Sequence, residues 1–240
     1  MYDIALRYLA RLWLEPGASK QLGFYLKPLA EALNEGELDV MHVNHLEPGT
    51  NVLTQRQQLF TADGAWQITV LGPGIDLTHS AQEPVSLVAF AERARSLFGA
   101  TFRSLDGANA SRIAMITEGM LADVTTAEKN AVAGRLLTFP DVFAPAPWEW
   151  DWRCVASVDR EFGGSAQATN TIASMKRAAG IFNLTQQPFD RLRVDLDINT
   201  PATDLQPRFN ATAIDDFVRQ FPAWHATLGD SVLRTAGLEQ

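Results

Sequence analysis

The stretch Arg191-Leu192-Arg193-Val194-Asp195-Leu196-Asp197-Ile198 alternates without exception. Leu192, Val194, Leu196 and Ile198 fall on one side of an extended chain; Arg191, Arg193, Asp195 and Asp197 fall on the other. A period of two is the pleat of a β-strand with one buried and one wet face. Strands of a parallel core sheet are buried on both faces and read as continuous apolar runs, so this pattern predicts antiparallel sheet. Two longer stretches repeat it. Between Met1 and Leu14, one face takes Tyr2, Ile4, Leu6, Tyr8, Ala10, Leu12 and Leu14. Between Trp148 and Val158, one face takes Trp148, Trp150, Trp152, Cys154, Ala156 and Val158.

Working outward, helical spacing alternates with these runs. Leu22, Tyr25, Leu26, Leu29 and Leu33 recur at helical intervals after Ser19, with Pro28 set to kink that helix or delay its start. Leu87, Phe90, Ala94, Leu97 and Phe98 form a second helical face; Val132, Leu136 and Leu137 follow Thr126 in a third. Ile214, Phe217, Val218, Phe221, Trp224, Leu228 and Val232 form a long final stripe, capped by Asn210 or Thr212. Asp63-Gly64, between Gln57–Thr61 and Trp66–Leu71, is a strong hairpin signal. Leu38–Val43, Ile75–Thr78, Ile113–Met120 and Ala166–Met175 complete the expected strands. The fold class is therefore α+β: antiparallel, twisted sheets with helices packed on one face. Pro140, Pro145 and Pro147 punctuate the middle of the chain. Each side opens on a long amphipathic strand and ends in helix, so two similar lobes are expected, 1–143 and 144–240.

Three pieces in this order carry a family resemblance. They are Ile4-Ala-Leu-Arg-Tyr-Leu through the helix to Leu33; Trp66-Gln-Ile-Thr-Val with the Val85–Phe98 helix and the Arg112-Ile-Ala-Met-Ile strand; and Leu192-Arg-Val-Asp-Leu-Asp-Ile-Asn with the final helix bearing Phe217, Trp224 and His225. Together they cover most of the chain. The chain resembles a sporadically distributed family of uncharacterised bacterial proteins of about this size with two α+β lobes, although its opening lacks that family's proline-rich lead-in. The resemblance implies no catalytic residue. The family's patchy distribution implies an accessory role, in a mobile or defence-associated system.

The formal charge of −8 over 240 residues argues against a general nucleic-acid surface, where a basic stripe is needed. No stretch approaches the roughly 18 uninterrupted apolar residues of a membrane span, and the opening residues read as a strand with no cleavage site. A cytoplasmic protein is the expectation. The single Cys154 excludes an internal disulfide framework and, from its place on the tryptophan face, is expected to be buried and inert.

Candidate chemistry is thin. Asp195 and Asp197 share a strand face, and paired carboxylates can hold a metal or divide acid and base roles; beside Arg191 and Arg193 they read more simply as the polar side of a half-solvated strand. His42 and His45 form an H-x-x-H pair that His79 can join only through the tertiary fold. Loop histidines are the simpler reading. Trp148, Trp150 and Trp152 offer a stacking platform for bases or sugars, or core beneath the final helix; the matching Phe217, Phe221 and Trp224 favour core. No phosphate loop, nucleophile elbow or H-E-x-x-H pattern occurs, and no cofactor is expected. The reading is a non-catalytic binding or assembly protein, acting through a protein partner or self-association, with the first strand a natural place for a sheet to be extended. The alternative is an enzyme or small-ligand sensor with its site in the crevice between the lobes.

Overall fold

The computed structural model describes residues 2–15, 18, 26–31, 38–46, 53–72, 74–80, 85–141, 147–182 and 186–238, without the side chains of 26–27, 44–46 and 53–55. Among them run β1 (Ile4–Leu14), α1 (Leu26–Glu31), β2 (Asp39–Leu46), β3 (Leu53–Phe60), β4 (Trp66–Leu71), β5 (Gly74–Ser80), α2 (Leu87–Ser104), β6 (Ala110–Met120), α3 (Thr126–Leu136), β7 (Asp151–Phe162), β8 (Ser165–Ile181), β9 (Pro188–Asn199) and α4 (Ala211–Ala236). The expected residues 19–25 of the first helix lie outside the described residues, and Pro28 stands within α1.

The strands join edge to edge in one antiparallel sheet, ordered β2-β3-β4-β5-β1-β6-β9-β8-β7. The sequence order runs strand, helix, meander, helix twice, and each time the last meander strand returns beside the first: β5 on β1, β9 on β6. β1 and β6 meet at the centre, with Leu9 opposite Ile116 and Ala10 opposite Met115. Strands from 1–143 and 144–240 are thus hydrogen-bonded to one another through β6 and β9. The division between the two segments falls in 142–146, outside the described residues.

The alternating patterns choose the face. Tyr8, Ala10, Leu12, Ile75, Leu77, Ile113, Met115 and Ile198 project to the side covered by α2 and α4, where Phe90, Leu97, Phe98, Phe217 and Phe221 close the main core. Leu192, Val194, Leu196 and Met175 continue it against Val132 of α3 and Val232 of α4. In β1 the alternation slips once. Ala5 pairs with Gly119 and Arg7 with Glu118, so Leu6 is a bulged residue and the inward set changes from even numbers to Ala5.

Local chemistry ends the helices where the sequence places the caps. Ser86 accepts from the Ala89 N–H (3.1 Å), and Thr125 and Glu128 close a capping box. Asn210, not Thr212, caps α4 by accepting from the Ala213 N–H (3.0 Å). At its other end Gly237 takes the left-handed conformation (φ 69°), and the Arg135 guanidinium donates to the Ala236 carbonyl (2.9 Å). The 60–66 hairpin turns at Gly64 (φ 68°), braced by the Asp63 carboxylate on the Ala65 N–H (2.9 Å).

Two expectations are corrected. β1 is not a place where the sheet can be extended: it is paired on both sides, by β5 and β6. An 11-residue strand that alternates over most of its length buries most when it has a neighbour on each side, and the crossover connections supply both. The outermost strands are β2 and β7. Cys154 is exposed, not buried, because it sits in the middle of the outer strand β7, between the ends where Trp152 and Phe162 meet α4 and where its own small neighbours leave the helix side open.

Candidate functional site

Residues directly opposite on neighbouring strands project to the same side, so the register maps the face that no described helix covers. One row across it reads Arg7, Glu118, Asp195, Ser174, Arg153; the next reads Leu9, Ile116, Asp197, Ile172, Val155. From Arg7 to Asp195 the charges of the first row, with Arg193 beside them, satisfy one another, whereas Arg153 at its end has no salt bridge among the described residues. Glu118 accepts from Arg7 and from Arg193 Nη2 (2.8 Å), Arg193 Nε donates to Asp195 (2.7 Å), and Ser174 Oγ donates to Asp195 (3.4 Å). Nearby, Arg11 Nε donates to the buried Asp76 (2.6 Å), and the Arg11 and Arg112 guanidinium groups lie 5.4 Å and 4.2 Å from the Trp13 ring.

Asp195 and Asp197 therefore share a face, as their spacing predicts, but they do not act as a pair. Asp195 is bound into the arginine ladder. Asp197 accepts from Asn199 Nδ2 (2.8 Å), and burial holds its carboxyl above the ordinary aspartate range despite the nearby charges of Arg112 and Arg153. Arg191 turns away to Asp3 and the Leu121 carbonyl (3.2 Å).

The histidines do not assemble. His42 is exposed on the outer strand β2, and the His45 backbone pairs with Thr54. His79 is buried on β5 against Tyr8 and Trp66, three strands from β2, or about 14 Å at ordinary strand spacing. Burial, then the Arg93 charge, pushes the His79 pKa down. Among the described residues, no group of three or more His, Cys, Asp or Glu side chains is arranged to hold a metal ion.

The tryptophans divide. Trp150 is buried with Met175, Val194, Val232 and Ala236; Trp152 packs against the same cluster from a half-buried position; Trp148 is 68% exposed. Beyond Trp152 the inward residues shrink to Cys154, Ala156 and Val158, and all three are exposed. On the opposite face Val155 is 49% exposed, and among the described residues β7 has no strand on its outer side. A strand of 12 residues thus offers a line of outward backbone groups with no strand partner among the described residues, flanked by small uncharged side chains from Cys154 to Val158. A signal for this was present in the sequence: bulk fades after Trp152, while Leu192–Ile198 keeps large side chains throughout. Cys154, Ala156 and Val158 present too little bulk to hold a helix over the middle of the strand, whereas Phe162 at its end packs against Phe217 and Trp224 of α4.

Two further features lie on the helix side. A groove of about 830 Å³ is lined by Tyr2, Asp3, Leu121, Glu128, Asp230, Arg234 and Leu238, drawing on both 1–143 and 144–240. Behind it Tyr2 Oη and Thr117 Oγ1 lie 2.8 Å apart, and Thr117 Oγ1 lies 2.8 Å from His225 Nε2. Burial raises the Tyr2 phenol and pushes the His225 imidazole down to about 4. None of the residues singled out from the sequence lines this groove.

No protein-family model matches the chain, and no curated protein matches it. No helix among the described residues is long and apolar enough to cross a membrane.

Proposed function

We propose that this protein is a non-catalytic binding or assembly protein that associates with another polypeptide by strand addition at β7. The observation that carries the reading is the outer edge of that strand: 12 residues, unpaired on one side among the described residues, with Val155 and Val158 exposed on its two faces. Natural sheets blunt such edges with charge, proline or short strands when they are not used. Here the central residues Cys154 to Val158 carry no charge and no proline. Backbone hydrogen bonds give affinity in this mode, and small side chains leave room for the incoming strand. The charged centre of the helix-free face is less available, because Arg7, Glu118, Arg193 and Asp195 already satisfy one another. The family resemblance adds the setting, an accessory or defence-associated system in a bacterial cytoplasm.

The test is amide exchange on the assembly isolated from the native host. Protection of 151–162 that disappears when the assembly is dissociated is the expected result. An assembly in which these amides exchange as fast as in the isolated chain refutes strand addition.

A second reading, a small-ligand sensor or enzyme, draws on the groove beside Tyr2, since it is lined by both segments of the chain and backed by the Tyr2–Thr117–His225 network. Its acidic rim, Asp3, Glu128 and Asp230 around Arg234, favours a cationic ligand. Thermal stabilisation by small polyamines, abolished by Asp230→Lys, is the outcome that promotes it over strand addition.

A further inference from the structure

The outer edge of β7 is complementary to itself. Along Asp151-Trp152-Arg153-Cys154-Val155-Ala156-Ser157-Val158-Asp159-Arg160-Glu161, Arg153 precedes Ala156 by three residues and Asp159 follows it by three. Both side chains are exposed, both lie on the helix-free face, and neither has a salt-bridge partner among the described residues. We propose that two copies of this chain pair antiparallel through β7 about a twofold axis at Ala156, joining their sheets into one. This rests on the strand-addition reading above and identifies its occupant as a second copy.

The register follows from charge and size. A twofold axis perpendicular to the sheet keeps each face on its own side, so only registers that match like faces are allowed. With Ala156 opposite itself, Arg153 of each copy meets Asp159 of the other, Val155 meets Ser157, and Cys154 meets Val158. Opposite charges placed directly across strands are favourable, and each valine faces a small residue. The neighbouring allowed registers are worse. One sets Asp151 opposite Asp159 and leaves Arg153 facing Ser157; the other sets Val155 opposite Asp159 and Cys154 opposite Arg160. The chosen register leaves one like-charge pair, Asp151 opposite Glu161, at each end, where pairing frays and water screens it. The overlap from Asp151 to Glu161 supplies about ten interstrand hydrogen bonds.

The experiment is register-specific trapping. In this pairing the Cα atoms of residue 154 and residue 158 of the second copy are about 4.5–5.5 Å apart, within disulfide range. Within one chain the same two positions are about 13 Å apart along the strand and cannot bridge. Val158→Cys is therefore expected to give a covalent dimer under mild oxidation. The unaltered chain, and Val155→Cys on the opposite face, are expected to give none. In parallel, light scattering at about 100 µM, where a micromolar dimer is almost fully formed, should show a dimer. Arg153→Asp or Asp159→Arg alone should weaken it about tenfold or more, and the double exchange should restore it. A monomer at that concentration, no cross-link from Val158→Cys, or no rescue by the double exchange overturns the proposal. If the chain is monomeric yet β7 becomes protected in an assembly with a different protein, self-pairing fails and strand addition stands; if β7 is never protected, both fail.

Discussion

His225 is a pH-sensitive element of the fold, and its effect can be worked out from its surroundings. It is 7% exposed on α4, between Phe221 and the Tyr2 ring, with Nε2 against the Thr117 hydroxyl. Burial lowers its pKa to about 4. An unfolded histidine titrates near 6.5, so the gap is about 2.5 units, worth about 3 kcal/mol at about 1.4 kcal/mol per unit. The sign is that of a depressed histidine. At pH 7 the ring is neutral in both states and nothing is lost. Between pH 6.5 and 4 the unfolded chain takes up a proton that the native ring refuses, so stability falls with pH; below 4 both states are protonated and this contribution levels off. From pH 7 to 4.5 the loss amounts to about 2 kcal/mol. Urea unfolding followed by tryptophan fluorescence, at intervals from pH 7 to 4.5, measures it. His225→Gln keeps a hydrogen-bonding side chain for Thr117 but cannot titrate, so its stability should fall by about 2 kcal/mol less than that of the unaltered protein. Asp190, held at about 2 by Arg177 and Lys129, acts in a lower window and is common to both proteins. Parallel pH profiles for the two would refute the argument.

Trp150→Ala should cost about 3–5 kcal/mol in chemical denaturation, as for a large aromatic removed from a core, whereas Trp148→Ala should change stability by less than about 0.5 kcal/mol because that ring is exposed. Asp195→Asn should cost about 1 kcal/mol, the value of a half-exposed ion pair with Arg193; Asp197→Asn should cost nothing or stabilise at pH 7, since burial already disfavours its charge. Equal losses at the two positions, read from urea midpoints, would contradict this. Gly119→Ala should cost about 1–3 kcal/mol and displace the Tyr2 ring, because a Cβ there would lie 2.4 Å from the ring carbon; a shifted Tyr2 resonance in an NMR spectrum is the check, and an unchanged one would count against it.

The residues that announce secondary structure do so locally, and those features were legible. The alternation of Leu192–Ile198, the Asp63-Gly64 turn, the Asn210 cap and the apolar stripe of α4 each depend on neighbours within a few positions. Periodicity and capping are properties of a short segment, so fold class, α+β with antiparallel sheet, follows from the chain alone. Neighbourhood in the sheet does not. Nothing within Met1–Leu14 says whether that strand lies at the edge or the centre; its place is decided by which strands return beside it, and β5 and β6 both do. The same holds for the candidate groups. The two-residue spacing of Asp195 and Asp197 shows that they share a face, but only the pairing of β9 with β6 brings Glu118 beside Arg193 and binds Asp195 into the ladder, leaving Asp197 to burial. The tryptophan run alternates as evenly as any buried strand, yet only Trp150 and Trp152 lie beneath α4. Alternation reports which side of a strand a residue takes. How far the helix layer extends over that side, and therefore whether Cys154, Ala156 and Val158 are core or open edge, depends on contacts between segments far apart in the chain.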